Sequence, residues 1–244
     1  MEKVIKVPKA KLNSGHQMPL LAMGTASPSL PEAEQLTSIF IDAIKMGYRH
    51  FDTAPIYGSE EALGRAVAAA LQRGLVASRD ELFISTKLWC SETERHLVVP
   101  ALRRSLGFSL QGANQLLQRF VLLEEFKGTW EGMEECCNLN LAKSIGVSNF
   151  TSTKISQLLQ NATIPPAVNQ VALRWVYEQG ACVIVRSFNH ERMKQNLQIF
   201  NWELDEEEIA KIQQIPQRRG CKGEVFIHSN GPYKSVEELW DGDI

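Results

Sequence analysis

The sequence lacks the features that mark several large classes of protein. Its formal net charge is only -2, so it has no basic excess for nucleic acid or an anionic membrane surface. No apolar run approaches the roughly 18 residues of a bilayer-spanning helix, and the first fifteen residues hold no apolar stretch typical of a secretory signal. We expect a cytoplasmic protein with no nucleic-acid or membrane partner.

Cysteine and the common catalytic motifs are also scarce. The five cysteines form an odd set with irregular spacing and no Cys-x-x-Cys pair: Cys90, Cys136, Cys137, Cys182 and Cys221. Neither a disulfide framework nor a zinc site is indicated by such a set. No His-Glu-x-x-His, P-loop or Gly-x-Ser-x-Gly motif occurs. We predict reduced thiols and no metal ion.

The sequence does contain an alternation of strand-like and helix-like segments along most of its 244 residues. Such alternation predicts a parallel sheet, either an open doubly wound sheet or a closed βα barrel. The motif Gly-x-Gly-x-x-Gly is absent, which disfavours the doubly wound sheet. Asp52 and Lys87 both stand at the ends of predicted strands, where barrels collect their functional groups. The predicted fold class is therefore α/β, of the (β/α)8 TIM-barrel type.

The chain is short for a complete barrel of this type, because eight βα units normally take about 250 residues. Six strands are predicted, beginning near Leu20, Tyr48, Leu82, Lys143, Pro166 and Cys182. Segment 111–125 has no clear period, and after Gln170 the chain passes from strand to helix without a turn residue. We predict a single domain over residues 1–244, an incomplete barrel of about six of eight units, with segments missing near 111–125 and after 170.

The stretch RHFDTAPIYGSEEALG, residues 49–64, carries the clearest functional signal. A short apolar strand ends in Asp52, Tyr57 follows in the loop, and Ser59 is placed to cap the next helix. Taken singly, an acid after a strand is usually a turn residue and a lysine at a strand end is usually solvated. An ordinary tyrosine, with a pKa of about 10, donates a proton poorly at neutral pH unless a cation stabilises its phenolate. Lys87 is placed to be that cation, with Asp52 orienting it.

Six segments agree in type and order with the signature segments of one family: GHQMPLLAMGTAS, GYRHFDTAPIYGSEEALG, ELFISTKLWC, KSIGVSNF, VNQV and VIVRSFNHERMKQN. The sequence resembles the aldo-keto reductases, and the tail GEVFIHSNGPYKSVEELWDGDI resembles their plant branch. The resemblance implies an oxidoreductase that reduces an aldehyde or ketone with NADPH, in plant secondary or chelator metabolism. It also implies that Asp52, Tyr57 and Lys87 are catalytic. The family's substrate-orienting histidine has no counterpart, since no histidine lies between His96 and His190.

The resemblance further implies a nicotinamide nucleotide site and a substrate pocket. Arg186, Ser187 and Asn189 follow a strand and precede a helix, where backbone amides favour phosphate. Arg186 and Arg192 suit a 2′-phosphate, which indicates NADPH rather than NADH. The full set of expected cofactor contacts is Gly24, Thr25, Asp52, Ser148, Asn149, Gln170, Arg186, Ser187, Phe188, Arg192, Gln195 and Asn196. Trp89 is the expected substrate contact.

Two functions therefore remain open at this point. The first is an NADPH-dependent carbonyl reductase, working or impaired, with a small-molecule substrate. The second is a non-catalytic truncated variant that retains part of a nucleotide site or binds a partner. A complete barrel would be monomeric, whereas an open one would expose sheet edges and associate through them.

Overall fold

The computed structural model describes residues 7–89, 92, 94–109, 115–119, 126–147, 152–164, 177, 180, 182–201, 203, 206–214, 223, 227 and 233–242. The described chain opens with a hairpin, in which β1 (Lys9–Lys11) pairs antiparallel with β2 (Gln17–Pro19). Gly15, in the turn between them, has a φ of 83° that suits glycine. None of the helices described is long and apolar enough to cross a membrane.

Six parallel strands form the central sheet: β3 (Leu21–Gly24), β4 (His50–Asp52), β5 (Phe83–Leu88), β6 (Gln115–Arg119), β7 (Ser144–Ile145) and β8 (Val183–Val185). Their order in the sheet is β7-β6-β5-β4-β3-β8. Strands consecutive in the chain are neighbours, and the last strand returns to pair with the first. This is the strand order of a βα barrel and not of a doubly wound sheet. The predicted fold class is confirmed.

The structure contains one strand that was not predicted from the sequence. The sequence of segment 111–125 shows no clear period, yet β6 lies within it and pairs with β5 on one side and β7 on the other. Pairing on both sides satisfies the strand's backbone groups, so tertiary context decides its conformation where local pattern does not. The strand predicted near Pro166 lies outside the described residues.

The helices alternate with these strands. Their bounds are α1 (Ala33–Met46), α2 (Glu60–Gln72), α3 (Arg95–Ser109), α4 (Phe126–Asn138), α5 (Ser152–Leu159), α6 (His190–Leu197), α7 (Glu206–Gln213) and α8 (Val236–Leu239). α1 ends at Gly47, whose φ of 115° places it in the left-handed region while its N–H bonds back to the helix. Short 3₁₀ turns cover Pro55–Tyr57, Arg79–Glu81 and Gln198–Phe200.

Residue alternation along the strands separates an apolar layer from a polar interior. Leu21, Met23, Phe51, Ile84, Val183 and Val185 belong to a buried core cluster shared with α1, α2 and α6. The intervening positions of the same strands include His50, Asp52, Ser85 and Lys87, all buried. Because side chains alternate across a strand, these polar groups share the opposite, barrel-interior face. The sequence thus directs polar side chains inward and apolar ones toward the helices.

A second apolar cluster lies under α3, α4 and β7 and includes Val98, Leu102, Trp130 and Met133. Here α3 and α4 approach closely at Gly132. A methyl group at that position would stand 2.8 Å from Val98 Cγ2 and 2.9 Å from the Arg95 carbonyl oxygen. A glycine is therefore required for the two helices to pack.

We expect Gly132→Ala to destabilise the protein by roughly 1–3 kcal/mol, the usual range for overpacking a core. The matched control is Gly107→Ala at an exposed position of α3, where an added methyl would meet nothing within 4 Å. The control change should stabilise the protein by about 0.5–1 kcal/mol, because alanine favours the helix more than glycine does. Urea unfolding of the two variants measures both effects, and similar midpoints would contradict the close packing of α3 on α4.

Candidate active site

A buried ion pair stands at the carboxyl end of the sheet. Asp52 ends β4 and Lys87 lies one strand over in β5, and each side chain is only 7% exposed. The Lys87 ammonium donates to Asp52 Oδ2 at 2.6 Å and to the Thr53 carbonyl oxygen at 3.1 Å. Burial raises the pKa of Asp52, and the adjacent Lys87 acts in the opposite direction. Within the described part of the chain, Asp52 Oδ1 is buried without a hydrogen-bond partner.

Tyr57 lies beside this pair on a short 3₁₀ turn. Its amide bonds to the Ala54 carbonyl at 3.0 Å, and Gly58, with a φ of 66°, ends the turn. The Lys87 ammonium sits over the Tyr57 ring, 4.8 Å from its centroid, a cation–π contact. Tyr57 itself is half-buried. The structure therefore brings Asp52, Tyr57 and Lys87 together at one end of the sheet.

An open cleft of about 550 Å³ adjoins these residues, and its lining is Gly24, Ala26, Ser27, Pro28, Asp52, Ile56, Tyr57, Ile184 and Arg186. This volume lies within the roughly 300–1,000 Å³ of small-molecule sites. Gly24 forms part of the wall at the end of β3, where a methyl group would stand 3.0 Å from the Ile184 side chain. A larger residue there would narrow the cleft.

Arg186, in the loop after β8, lines the cleft, and α6 begins just after this loop. Arg186 is exposed and donates to the Ala26 carbonyl at 3.2 Å. The Asn189 side chain caps α6 by accepting from the Arg192 amide at 3.1 Å. Exposed Arg192 adds a second guanidinium to this helix start. Amides of a helix N-terminus and two planar cations are suited to phosphate groups.

Other predicted site residues lie away from the cleft wall. Thr25 is fully buried, and its hydroxyl contacts the Ser59 hydroxyl at 2.6 Å. Phe188 packs against the main apolar cluster, and the Asn196 side chain bonds to the Tyr48 hydroxyl. Ser187 bonds to the Asn189 backbone, and Gln195 is exposed on α6. Ser148, Asn149 and Gln170 lie outside the described residues.

Trp89 lines a second, neighbouring cleft of about 290 Å³. Ile56 belongs to the walls of both clefts, so the second one adjoins the turn that carries Tyr57. Its polar lining includes Glu60, whose carboxylate accepts from the Thr86 hydroxyl at 2.6 Å and whose pKa is raised by burial. Trp89, the expected substrate contact, therefore lines this second cleft and not the cleft beside Asp52 and Tyr57.

Sequence reasoning missed a buried chain of hydroxyls beside the site. Ser59 stands at the N-cap position of α2, but its side chain does not cap the helix, contrary to the prediction. Its hydroxyl instead contacts Thr25 Oγ1 at 2.6 Å and Thr53 Oγ1 at 2.8 Å. Tertiary partners outcompete the local amides, because Ser59 is fully buried between two strand ends. The only sequence signal is the recurrence of small hydroxyl residues after consecutive strands.

His50 lies on the same inner face of β4, two residues before Asp52. Its Nδ1 lies 3.0 Å from the Pro19 carbonyl oxygen and its Nε2 lies 2.8 Å from Ser85 Oγ. Since a carbonyl oxygen only accepts, Nδ1 carries the hydrogen of the neutral ring. Burial lowers the pKa of His50 to about 4, with the nearby Lys87 acting in the same direction. His50 is thus a neutral structural residue.

The lowered pKa of His50 makes stability depend on pH. In the unfolded chain the pKa of His50 is near its ordinary value of 6.5, whereas in the folded chain it is about 4. The contribution of neutral His50 to the free energy of unfolding is therefore fully present above about pH 6.5. About 3 kcal/mol of it is lost as the pH falls toward 4. We expect His50→Asn to remove this dependence. Unfolding free energies of both proteins between pH 7 and pH 4.5 provide the measurement, and parallel curves would contradict a depressed pKa.

Comparison with known proteins agrees with this geometry. The sequence profile of the aldo/keto reductase family matches residues 20–172 and 168–217. The chain belongs to this family. Among curated relatives, rhazimal reductase 2 of Alstonia scholaris is 44% identical with 100% of both chains covered. NADPH-dependent codeinone reductase 1-4 of Papaver somniferum is 37% identical, covering 96% of this chain and 98% of the relative.

Solved structures of the aldo-keto reductase family superimpose on this chain. A Bombyx mori enzyme in complex with NADP has a TM-score of 0.77 and 28% identity, covering 86% of this chain and 93% of the other. A second Bombyx mori aldo-keto reductase, complexed with NADPH, has a TM-score of 0.84 and 25% identity, with 95% of each chain covered.

The alignment with the Alstonia reductase is longer than this aldo-keto reductase chain. It spans 323 positions whereas the chain has 244 residues, so at least 79 positions, the difference between the two, face no residue of the chain. The family profile matches in two pieces that overlap at residues 168–172, a range that includes Gln170. The exact places of the missing segments stay a prediction.

Proposed function

We propose that this chain reduces an aldehyde or ketone to an alcohol with NADPH, at a turnover well below that of a complete relative. The observation that carries the proposal is the cluster of Asp52, Tyr57 and Lys87 beside a cleft whose far side holds Arg186. A proton donor and an anion-binding group thus face one small-molecule cavity. The names of relatives support the same chemistry, since two are called rhazimal reductase and NADPH-dependent codeinone reductase.

Tyr57 is the proposed proton donor to the carbonyl oxygen. It is the phenol that lines the cleft, and the Lys87 ammonium over its ring favours negative charge developing on it. Lys87 is in turn held by Asp52 and by the Thr53 carbonyl, so its position is fixed before substrate arrives. Preorganised charge of this kind stabilises a transition state without reorganisation during the reaction.

The residues present fit a nicotinamide nucleotide. Asp52 lines the cleft, and its buried Oδ1 has no hydrogen-bond partner among the described residues. Gly24 leaves the wall open, and the start of α6 with Arg186 and Arg192 would hold phosphate groups. When bound, the nicotinamide would supply a hydride to the carbonyl carbon. The protein's part is to bind and orient the two reactants and to deliver a proton at the Tyr57 hydroxyl.

Low turnover follows from the missing substrate-orienting histidine. Among the described residues, the cleft lining includes no histidine. His50 is committed to Pro19 and Ser85 inside the barrel, and His96 and His190 are exposed on α3 and α6. A positioned hydrogen-bond donor at the reacting oxygen is worth about 10²–10³ in rate. Tyr57 can still donate a proton, but the carbonyl is held less firmly.

The substrate class is proposed from the cleft and the relatives together. Ile56, Pro28 and Ile184 give the cleft an apolar wall, and Trp89 extends this surface on the far side of Ile56. A hydrophobic carbonyl compound of plant secondary metabolism fits such walls, and several relatives carry names from that metabolism. A polar amino-acid chelator is the less favoured substrate, although one relative is named deoxymugineic acid synthase.

The second candidate function is a non-catalytic protein that retains part of a nucleotide site. The observation that favours it is the alignment, in which at least 79 positions, 323 less 244, face no residue of this chain. Such a protein would bind NADPH through Arg186 and the start of α6 without turning over a carbonyl. Cofactor binding without activity therefore separates the two candidates.

The first test concerns turnover. We expect the purified chain to oxidise NADPH with a reactive aromatic aldehyde about 10²–10³-fold more slowly than a variant that carries both missing segments from a relative. The reason is that the chain lacks a hydrogen-bond donor that orients the carbonyl. Tyr57→Phe should abolish the residual rate, whereas Tyr177→Phe, which packs against Phe200 away from the cleft, should not. Equal turnover with and without the restored segments would show that they are dispensable. A residual rate unchanged by Tyr57→Phe would refute the proton-donor assignment.

The second test concerns cofactor preference. Arg186→Ala removes a guanidinium suited to a 2′-phosphate, a charge-assisted contact worth about 1.5–3 kcal/mol. NADPH affinity should fall by about 10-fold to 100-fold while NADH affinity changes little. Arg73→Ala, an exposed arginine at the end of α2, is the matched control. Isothermal titration of the original chain and of both variants with each cofactor gives six affinities, and equal losses for NADPH and NADH in Arg186→Ala would exclude a 2′-phosphate contact.

A further inference from the structure

The three buried hydroxyls of Thr25, Ser59 and Thr53, termed the hydroxyl clasp, lie where the chain enters and leaves the Tyr57 turn. Thr53 is the first residue after β4, and Ser59 is the last before α2. Their hydroxyls lie 2.8 Å apart, which closes the segment 54–58 into a loop. Thr25 Oγ1, 2.6 Å from Ser59 Oγ, ties that closure to the end of β3.

The Ser59 side chain does not cap α2, although Ser59 stands at the N-cap position of that helix. A serine at an N-cap normally accepts from a helix amide, which contributes about 1 kcal/mol. Here no such bond forms, and all three hydroxyls are fully buried. Places where structure departs from a local rule are often functional, because another constraint has prevailed. The constraint satisfied here is the position of the Tyr57 turn.

The clasp also reaches Lys87. The Thr53 carbonyl accepts from the Lys87 ammonium at 3.1 Å, and the Thr53 amide bonds to the Ser85 carbonyl on β5 at 2.8 Å. Any shift of Thr53 would therefore move both the Tyr57 turn and an acceptor of the lysine beneath it. Tyr57 and Lys87 share one anchor.

We propose that Ser59 is a positioning residue that holds the Tyr57 ring over the Lys87 ammonium through the hydroxyl clasp. The proposal rests on the proposed function for its kinetic consequence, but the position of the ring can be measured without catalysis. Without the clasp, the backbone bonds of the turn itself remain, Tyr57 to Ala54 and Gly58 to Pro55. The ring then samples positions away from the ammonium.

The ring position is tested by ¹⁹F NMR of protein labelled with 3-fluorotyrosine. The chain has four tyrosines, and Tyr57→Phe assigns the signal of interest. We expect Ser59→Ala to shift or broaden the Tyr57 signal and leave the others in place. Thr53→Val, which keeps the side-chain shape and removes one hydroxyl of the clasp, should act in the same direction and serves if Ser59→Ala does not fold.

The matched control is Ser144→Ala. Ser144 is buried, its hydroxyl lies 2.7 Å from that of Ser14, and it begins β7 at the opposite end of the sheet. Loss of this pair should leave the Tyr57 signal unchanged. A Tyr57 signal that responds equally to Ser144→Ala and Ser59→Ala, or to neither, would overturn the proposal.

The kinetic arm separates positioning from general destabilisation. Ser59→Ala should lower kcat for the aromatic aldehyde about 10-fold to 100-fold, since a misplacement of about 1 Å can have that effect. NADPH affinity should stay within about twofold, because Arg186 and α6 are not touched. Parallel losses of kcat and NADPH affinity would indicate a structural role only and would overturn the positioning assignment. Absence of turnover in the original chain would refute the proposed function. The NMR result would still show whether Ser59 positions the Tyr57 ring.

Discussion

The buried pair of Asp52 and Lys87 is the interaction on which the site depends. Taking two charges out of water is unfavourable by several kcal/mol per ion, so the pair persists only with good geometry and further hydrogen bonds. The structure supplies a 2.6 Å contact and the Thr53 carbonyl. These partners require β4 and β5 to be parallel neighbours in the register observed. The pairing of β4 with β5 therefore fixes the position of the Lys87 ammonium. The Tyr57 ring lies against this ammonium.

The rest of the barrel interior is arranged so that this pair carries the charge. Burial lowers the pKa of His50 to about 4, and Lys87 adds to the shift. Burial raises the pKa of the Cys182 thiol to about 12, and Asp52 adds to that shift. Both side chains are therefore neutral over the physiological range, and each ion of the pair discourages a like charge beside it. The interior is polar without being highly charged, so the Lys87 ammonium beside the Tyr57 ring is not opposed by a second cation there among the described residues.

Sequence reasoning succeeded where periodicity or spacing was strong and failed where tertiary contacts decided. The parallel sheet and helices such as α1 follow from apolar patterns. The structure also brings Asp52, Tyr57 and Lys87 together, as expected from their places at or just beyond strand ends, while their catalytic roles stay a prediction. β6 was missed because its conformation depends on pairing with β5 and β7. Ser59 was predicted to cap α2, since nothing local reveals that Thr25 and Thr53 lie within reach of its hydroxyl.

The groups proposed to deliver a proton lie close together in the sequence. Asp52, Tyr57, Lys87 and the hydroxyl clasp all lie between Thr25 and Lys87, on β3 to β5 and their connections. These elements bury their apolar faces in one cluster with α1, α2 and β8. Of the two segments predicted to be missing, the one near 111–125 lies between α3 and α4, which form a separate cluster with β7, and the one after 170 precedes β8. A change near 111–125 therefore falls within the cluster of α3, α4 and β7 and not within the cluster that supports β3, β4 and β5.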